Sequence, residues 1–328
     1  MPTTLETPNK SFYSKIMLFG EYSIICGSMA LTIPYSHFKG SLKFLNKNQS
    51  IDIDFAKSSN QKLRDYYQQY LLPTGNRGGL PNKFNYKSLE KEINEGLYFE
   101  SSIPEGYGLG SSGALVAALY QRYMEEEKTS SHLVSSQLNI PEVKKDLAVL
   151  ESWFHGTSSG IDPLICYIGQ PLLINEDQTI LPVNLPRYNF NSDDAVFLIN
   201  SGNSVKTAPL VDQFIKDCDN PVFKQRIISE YIPLNNSCIE ALIDADIKKF
   251  SKDVQALSTF QANCFYRMIP PTLHDDWMYG ISTGKFTLKL CGSGGGGFML
   301  GFTHFYKEVS ERFAEKGIEV IPVYQHKD

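Results

Sequence analysis

The segment Pro104-Glu-Gly-Tyr-Gly-Leu-Gly-Ser-Ser-Gly113 runs directly into an apolar helical pattern, Ala114 to Tyr120. A glycine-rich turn that opens into a helix is an anion site, because backbone N–H groups and the positive helix end converge on one spot. Gly106, Gly108, Gly110 and Gly113 let a phosphate approach the backbone, and Ser111 and Ser112 add hydroxyls where a nucleotide's metal ion would sit. The loop lacks the Lys of the Gly-Lys-Ser/Thr phosphate loop. Gly108–Gly113 and Gly292–Gly297 also fit Gly-x-Gly-x-x-Gly, a weak pattern alone. A dinucleotide site needs an acid ending a second strand about twenty residues on. Glu125-Glu-Glu-Lys128 stands there instead, as a charged helix end.

Three further groupings could carry chemistry. In Glu151-Ser-Trp-Phe-His155-Gly-Thr-Ser-Ser-Gly-Ile-Asp162, one carboxylate ends a helix and the other follows a turn of small residues. Carboxylates so placed can hold Mg²⁺ or accept a hydroxyl proton, although a surface Glu and a turn Asp would give the same letters. Cys291-Gly-Ser-Gly-Gly-Gly-Gly297 lies between two apolar runs. Four successive glycines fit a close backbone approach to a ligand better than a flexible linker. In Lys15-Ile-Met-Leu-Phe-Gly-Glu21-Tyr22, a lone cation sits inside an apolar strand, where an outward-facing Lys is the ordinary explanation.

The elements that must position these residues differ between the two halves. Phe12–Phe19, Ala30–Pro34, Lys39–Leu45 and Ile51–Phe55 read as short strands, followed by a polar loop over 56–65 and a helix through Tyr70. Leu97–Ile103 is a strand feeding the glycine loop, and Pro141 opens a helix over Glu142–Phe154 that Gly156 ends. After a polar, proline-containing seam at 177–194 come a strand, Ala195–Asn200, and helical patterns from Pro209 to about Tyr266. Strands Phe286–Cys291 and Phe298–Phe302, a helix over Lys307–Lys316 and a strand over Gly317–Val323 close the chain. Strands and helices mixed in both halves predict an α+β protein.

Composition narrows the partners. The 328 residues, 42% of them apolar, can bury real cores. A net charge of -5 argues against nucleic acid as a general partner, so a polyanionic ligand must meet a local basic site. The six cysteines, at 26, 166, 218, 238, 264 and 291, show no metal spacing and read as reduced thiols. No signal segment or membrane span is evident, so a cytoplasmic protein is expected.

Taken in order, the Lys15 strand ending Gly-Glu, Pro104-x-x-x-Gly-Leu-Gly-Ser-Ser112 and the late glycine loop resemble the GHMP kinase superfamily, over residues 12 to 302. Leu18-Phe-Gly-Glu21, the Glu four residues ahead of His155-Gly, His155–Asp162 and Asn200–Thr207 are similar to its mevalonate kinase branch. Tyr22 stands where that branch usually carries His and is more common among phosphomevalonate kinases. Gly113 replaces a usual Ala and Ser158 a frequent Pro.

The resemblance implies an S5-like N-terminal domain over 1–185 and a ferredoxin-like C-terminal domain over 186–328. It implies ATP held by Gly106, Gly108, Leu109, Gly110, Ser111, Ser112, Gly294 and Gly295, and Mg²⁺ on Ser112 and Glu151. Asp162 would face the acceptor hydroxyl with Lys15 beside it, both catalytic, and Glu21, Tyr22, His155 and Thr207 would face the acceptor. The implied reaction is ATP-dependent phosphorylation of the primary hydroxyl of mevalonate. The implied partner is that small molecule, without nucleic acid or membrane, for a monomer or homodimer. Phosphomevalonate kinase is the nearest rival and predicts added cations such as Lys206. A decarboxylase of the superfamily, a non-catalytic interaction protein and a dinucleotide oxidoreductase are the further alternatives.

Overall fold

Buried Phe12, Ile16, Leu18 and Phe19 make Phe12–Phe19 the first strand, β1, with Lys15 buried among them. It leads through a 3-10 turn, Ser23–Cys26, into a long strand, β2 (Ala30–Phe44). The computed structural model describes residues 10–45, 52–81, 83–124, 138–186, 193–202 and 207–325. The chain gathers into two units of interleaved segments. One comprises Met1–Lys15, Pro34–Ile103 and Gly110–Gly169; the other comprises Ile16–Ile33, Pro104–Leu109 and Gln170–Asp328.

In the first unit Asp52 caps α1 (Ile53–Tyr66) by accepting from the Phe55 N–H at 3.0 Å. The strand expected over Ile51–Phe55 and the loop expected over 56–65 are therefore corrected: one helix runs from Ile53 to Tyr66. Buried Ala56, Leu63 and Tyr66 recur at helical spacing, and that stripe overrides the short β-prone run. A wider π turn, Tyr67–Leu71, joins α1 to α2 (Leu72–Asn76), just before Pro73, which has no N–H for the regular ladder. Next come α3 (Tyr86–Asn94) and β3 (Leu97–Ser101), which pairs antiparallel with Gly40–Phe44 of β2. Three helices then pack together: α4 (Ser111–Tyr123), α5 (Ile140–His155) and α6 (Ile161–Ile168). α4 buries Ala114, Val116, Ala117, Ala118 and Leu119, almost its whole circumference. It is the central helix of the unit.

In the second unit Ala30–Thr32 of β2 pairs with β4 (Leu172–Ile174), which pairs with β5 (Ile180–Pro182). β6 (Ala195–Asn200) precedes five helices: α7 (Thr207–Asp217), α8 (Pro221–Arg226), α9 (Ile232–Ile243), α10 (Ile247–Cys264) and α11 (His274–Thr283). Another π turn, Ile227–Tyr231, joins α8 to α9, again just before a proline, Pro233. β7 (Phe286–Leu290), β8 (Phe298–Thr303), α12 (Tyr306–Ala314) and β9 (Val320–Gln325) complete an antiparallel sheet of order β7-β8-β6-β9. Asp276, wholly buried in α11, accepts from Arg312 at 2.8 Å and Lys316 at 2.7 Å and ties α11 to the α12 region. The molecule is α+β, with antiparallel sheets and helices in both units.

Candidate active site

The N-terminus of α4 is the anchor of the site. Gly110 caps it with φ 75°, and the first intrahelical bond runs from the Ala114 N–H to the Gly110 carbonyl at 2.9 Å. The N–H groups of Ser111, Ser112 and Gly113 precede that bond, and together with the helix dipole they form an anion seat. A side chain on Gly110 would reach within 2.9 Å of Lys15 Cγ, so the glycine lets β1 pass beneath the helix start. A side chain on Gly113 would lie 2.9 Å from the backbone carbon of Asp162 and 3.0 Å from its oxygen. This close α4–α6 contact sets Asp162, in the first turn of α6, beside the anion seat.

Lys15 and Asp162 then meet directly. Lys15 Nζ stands 2.9 Å from Asp162 Oδ1, with the lysine side chain 6% exposed and the aspartate side chain 36%. The ammonium is therefore sealed in while the carboxylate remains reachable. An interior Lys paired in this way is a placed charge and no longer an ordinary strand residue.

Glu151 completes the group from α5. Tyr66 and Tyr70 of the neighbouring helical segment donate to the carbonyls of Leu150, at 2.7 Å, and Val149, at 2.6 Å, which fixes the last turns of α5. Glu151 is 3% exposed. The Ser112 hydroxyl donates to its Oε1 at 3.1 Å and the Ser158 hydroxyl donates to its Oε2. Burial, and next the nearby Asp162 carboxylate, push Glu151 up to about 7, against the pull of the two hydroxyls and Lys15. Two carboxylates and two hydroxyls around one ammonium form a hard-oxygen site that gains from an added cation.

The second unit holds the other groups that the sequence singled out. Glu21 and Lys289 form a buried pair, Nζ to Oε1 at 2.5 Å, and Lys289 also donates to the Leu290 carbonyl at 2.6 Å. Burial raises the Glu21 carboxyl, and Lys289 pulls it back. Tyr22 is buried with φ 62°; its ring lies 4.9 Å from Phe214 and 5.6 Å from Phe265, and its hydroxyl donates to the Ser293 carbonyl. The two glycine loops lie against each other here: a side chain on Gly297 would come within 3.2 Å of Tyr107 Cα. The Gly295 N–H bonds the Met268 carbonyl at 2.5 Å, and Gly294 sits beside the same oxygen.

Of the residues singled out, Lys15, Gly110, Ser111, Ser112, Glu151 and Asp162 come together in the first unit. Gly106, Gly108, Leu109, Glu21, Tyr22, Gly294 and Gly295 belong to the second. His155 ends α5 and Thr207 begins α7, but their side chains, and Lys206 altogether, lie outside the described residues. Tyr22 is engaged on both ring and hydroxyl by the protein itself. Sequence reasoning missed Lys289 and the role of Ser158. A Lys inside the apolar run Phe286-Thr-Leu-Lys-Leu290 carries the same signal that marked Lys15.

The donor set fits Mg²⁺. That ion takes oxygen ligands and is commonly bound by one or two carboxylates plus substrate phosphates. Among the described residues no cluster of three His, Cys, Asp or Glu side chains could hold a metal by itself. Glu151, Ser112 and the nearby Asp162 are oxygen donors of the kind that such a shared shell uses. No helix among them is long and apolar enough to cross a membrane.

Residues 82–170 match the family model described as the GHMP kinases N terminal domain. The L. major mevalonate kinase solved in complex with R-mevalonate is 17% identical, over 98% of this chain and 97% of that one, with a TM-score of 0.64. A Streptococcus pneumoniae phosphomevalonate kinase, in complex with phosphomevalonate and AMPPNP, is 16% identical over 97% and 99%, with a TM-score of 0.60. A Lactococcus lactis galactokinase complexed with galactose is 15% identical over 97% and 94%, with a TM-score of 0.59. Comparison with curated proteins finds no significant match.

Proposed function

We propose that this chain is a small-molecule kinase of the GHMP superfamily and that it transfers the γ-phosphoryl group of ATP to the primary hydroxyl of mevalonate, a reading supported by the family-model match and the likeness to a mevalonate kinase. The observation that carries the chemistry is the Lys15–Asp162 pair, 2.9 Å apart, beside the N-terminus of α4. The acceptor assignment rests on the resemblance of Leu18–Glu21 and His155–Asp162 to the mevalonate kinase branch.

Phosphoryl transfer passes through a loose transition state, so the protein contributes mainly position and charge. The N–H groups at the start of α4 seat the phosphates. The exposed Asp162 carboxylate takes or orients the hydroxyl proton, and the buried Lys15 ammonium stabilises the alkoxide as it forms. Glu151 and Ser112 would hold Mg²⁺, which when bound neutralises phosphate charge. Ser158 fixes the Glu151 carboxylate from its other oxygen. Tyr22 and the Glu21–Lys289 pair act in this reading as supports for the corner that follows β1.

A coupled ADP-release assay with mevalonate, phosphomevalonate, homoserine and galactose in parallel tests the reading. Turnover of mevalonate well above the others supports it. Turnover of phosphomevalonate and none of mevalonate replaces it with the rival kinase.

A further inference from the structure

Two half-buried cysteines far apart in sequence lie together in the second unit. Tyr22 packs its ring on Phe214 of α7, 4.9 Å between centroids. Cys26 and Cys218 each stand four residues beyond that contact along their own elements. The Ile25 N–H bonds the Tyr22 carbonyl at 3.0 Å, and the Cys218 N–H bonds the Phe214 carbonyl at 3.0 Å, so both segments are still coiled there. The packing that brings the two rings together also brings the two thiols near enough for Cys26 to raise the Cys218 thiol.

Access and anchoring point the same way. Cys166, Cys238 and Cys291 are buried, whereas Cys26 and Cys218 are partly exposed, within reach of a small oxidant and a small reductant. Among the described side chains of α7, Phe214 is the buried one, and Ile215 beside it is 49% exposed. A helix held by so little buried surface belongs to the less stable part of a fold, and a covalent tie there alters its freedom.

We propose that Cys26 and Cys218 are a disulfide-forming site, closed by a peroxide and reopened by a thiol reductant, which pins α7 to the turn after Tyr22. Burial, and next Cys26, push the Cys218 thiol up to about 11, which suits it to the second, resolving attack. The Cys26 thiolate sulfur attacks one peroxide oxygen, the O–O bond breaks, and the leaving hydroxide takes a proton to form water. The resulting sulfenic acid is attacked by Cys218 sulfur, the S–OH bond breaks, and a second water leaves with the Cys218 proton. In sum, two thiols lose two electrons and two protons to one peroxide, giving one disulfide and two waters.

The test uses the full chain, reduced and then treated with hydrogen peroxide. Free thiols are then alkylated and the protein is digested without reductant. The expected product is a Cys26–Cys218 linked peptide, lighter than the sum of its parts by two hydrogens. Closure of so long a loop should also raise the melting temperature by a few degrees, reversed by dithiothreitol. Cys26→Ser and, separately, Cys218→Ser should each abolish the linked peptide and the shift. If one variant fails to fold, the other serves. Half-exposed Cys264, whose thiol contacts Arg226, is the internal control for indiscriminate oxidation. Cys26 and Cys218 both recovered as alkylated thiols or overoxidised acids, or linked to other cysteines, would overturn the proposal. None of these readouts depends on the kinase substrate.

Discussion

The backbone of Asp162 occupies the space that a side chain on residue 113 would need, 2.9 to 3.0 Å from its position. Gly113 is thus the reason α6 can bring its first-turn carboxylate to the N-terminus of α4. Gly113→Ala forces the two helices apart and should cost about 1–3 kcal/mol of stability, the usual penalty for overpacking. Because Asp162 moves with α6, kcat should fall while nucleotide affinity changes less. Thermal unfolding and steady-state kinetics on the same preparation check both parts.

Asp162→Asn keeps the shape and removes the charge that faces Lys15. If Asp162 takes the hydroxyl proton, turnover should drop by about 10²–10⁴-fold with ATP binding nearly intact. Wild-type kcat in this variant would remove Asp162 from the mechanism. An unchanged melting temperature is the necessary companion measurement.

Glu151 gives the protein a pH dependence that can be isolated. Its folded-state pKa is raised to about 7, above the ordinary value, so protonation favours the folded state. Without divalent cations its contribution is fully present below the unfolded carboxylate range. It is lost at up to about 1.4 kcal/mol per pH unit as pH rises toward 7. Glu151→Gln should flatten that part of the melting curve against pH. The same variant, and Ser158→Ala to a lesser degree, should raise the Mg²⁺ concentration needed for activity. Magnesium titrations that overlay the wild type would assign both residues a structural role.

The second unit makes a contrasting prediction. Lys289→Met leaves the Glu21 carboxylate buried without its partner and should cost about 3–5 kcal/mol, much of it recovered in the double variant with Glu21→Gln. Tyr22→Phe keeps the ring against Phe214 and Phe265 and loses the bond to Ser293. It should cost about 0.5–1.5 kcal/mol of stability, with the acceptor KM unchanged. A raised KM at wild-type stability would return Tyr22 to the substrate.

Local signals carried far along this chain. Helix α4, its glycine cap and the strand holding Lys15 were all legible, because loop chemistry and apolar periodicity agree there. Residues 53–55 misled, since a short β-branched run does not reveal that Asp52 will cap a helix. Lys15 and Asp162 stand out in the sequence, and the family resemblance implies that they lie side by side; what the sequence does not show is the means, α4 and α6 approaching to backbone contact at Gly113. The Glu21–Lys289 pair was hidden for a related reason: its partners are remote in the chain, and a lone Lys in a strand is usually exposed. In the sequence Ser158 stands out only as a departure from the resembled motif. Its bond to Glu151 required the fold.

Which hydroxyl receives the phosphoryl group decides the function. The most direct measurement is ADP release by the purified chain with ATP and Mg²⁺, comparing mevalonate, phosphomevalonate, homoserine and galactose at equal concentrations. Turnover with mevalonate should stand well above that with the other three, with 5-phosphomevalonate as the product. ADP release with phosphomevalonate, homoserine or galactose and none with mevalonate would overturn the mevalonate assignment.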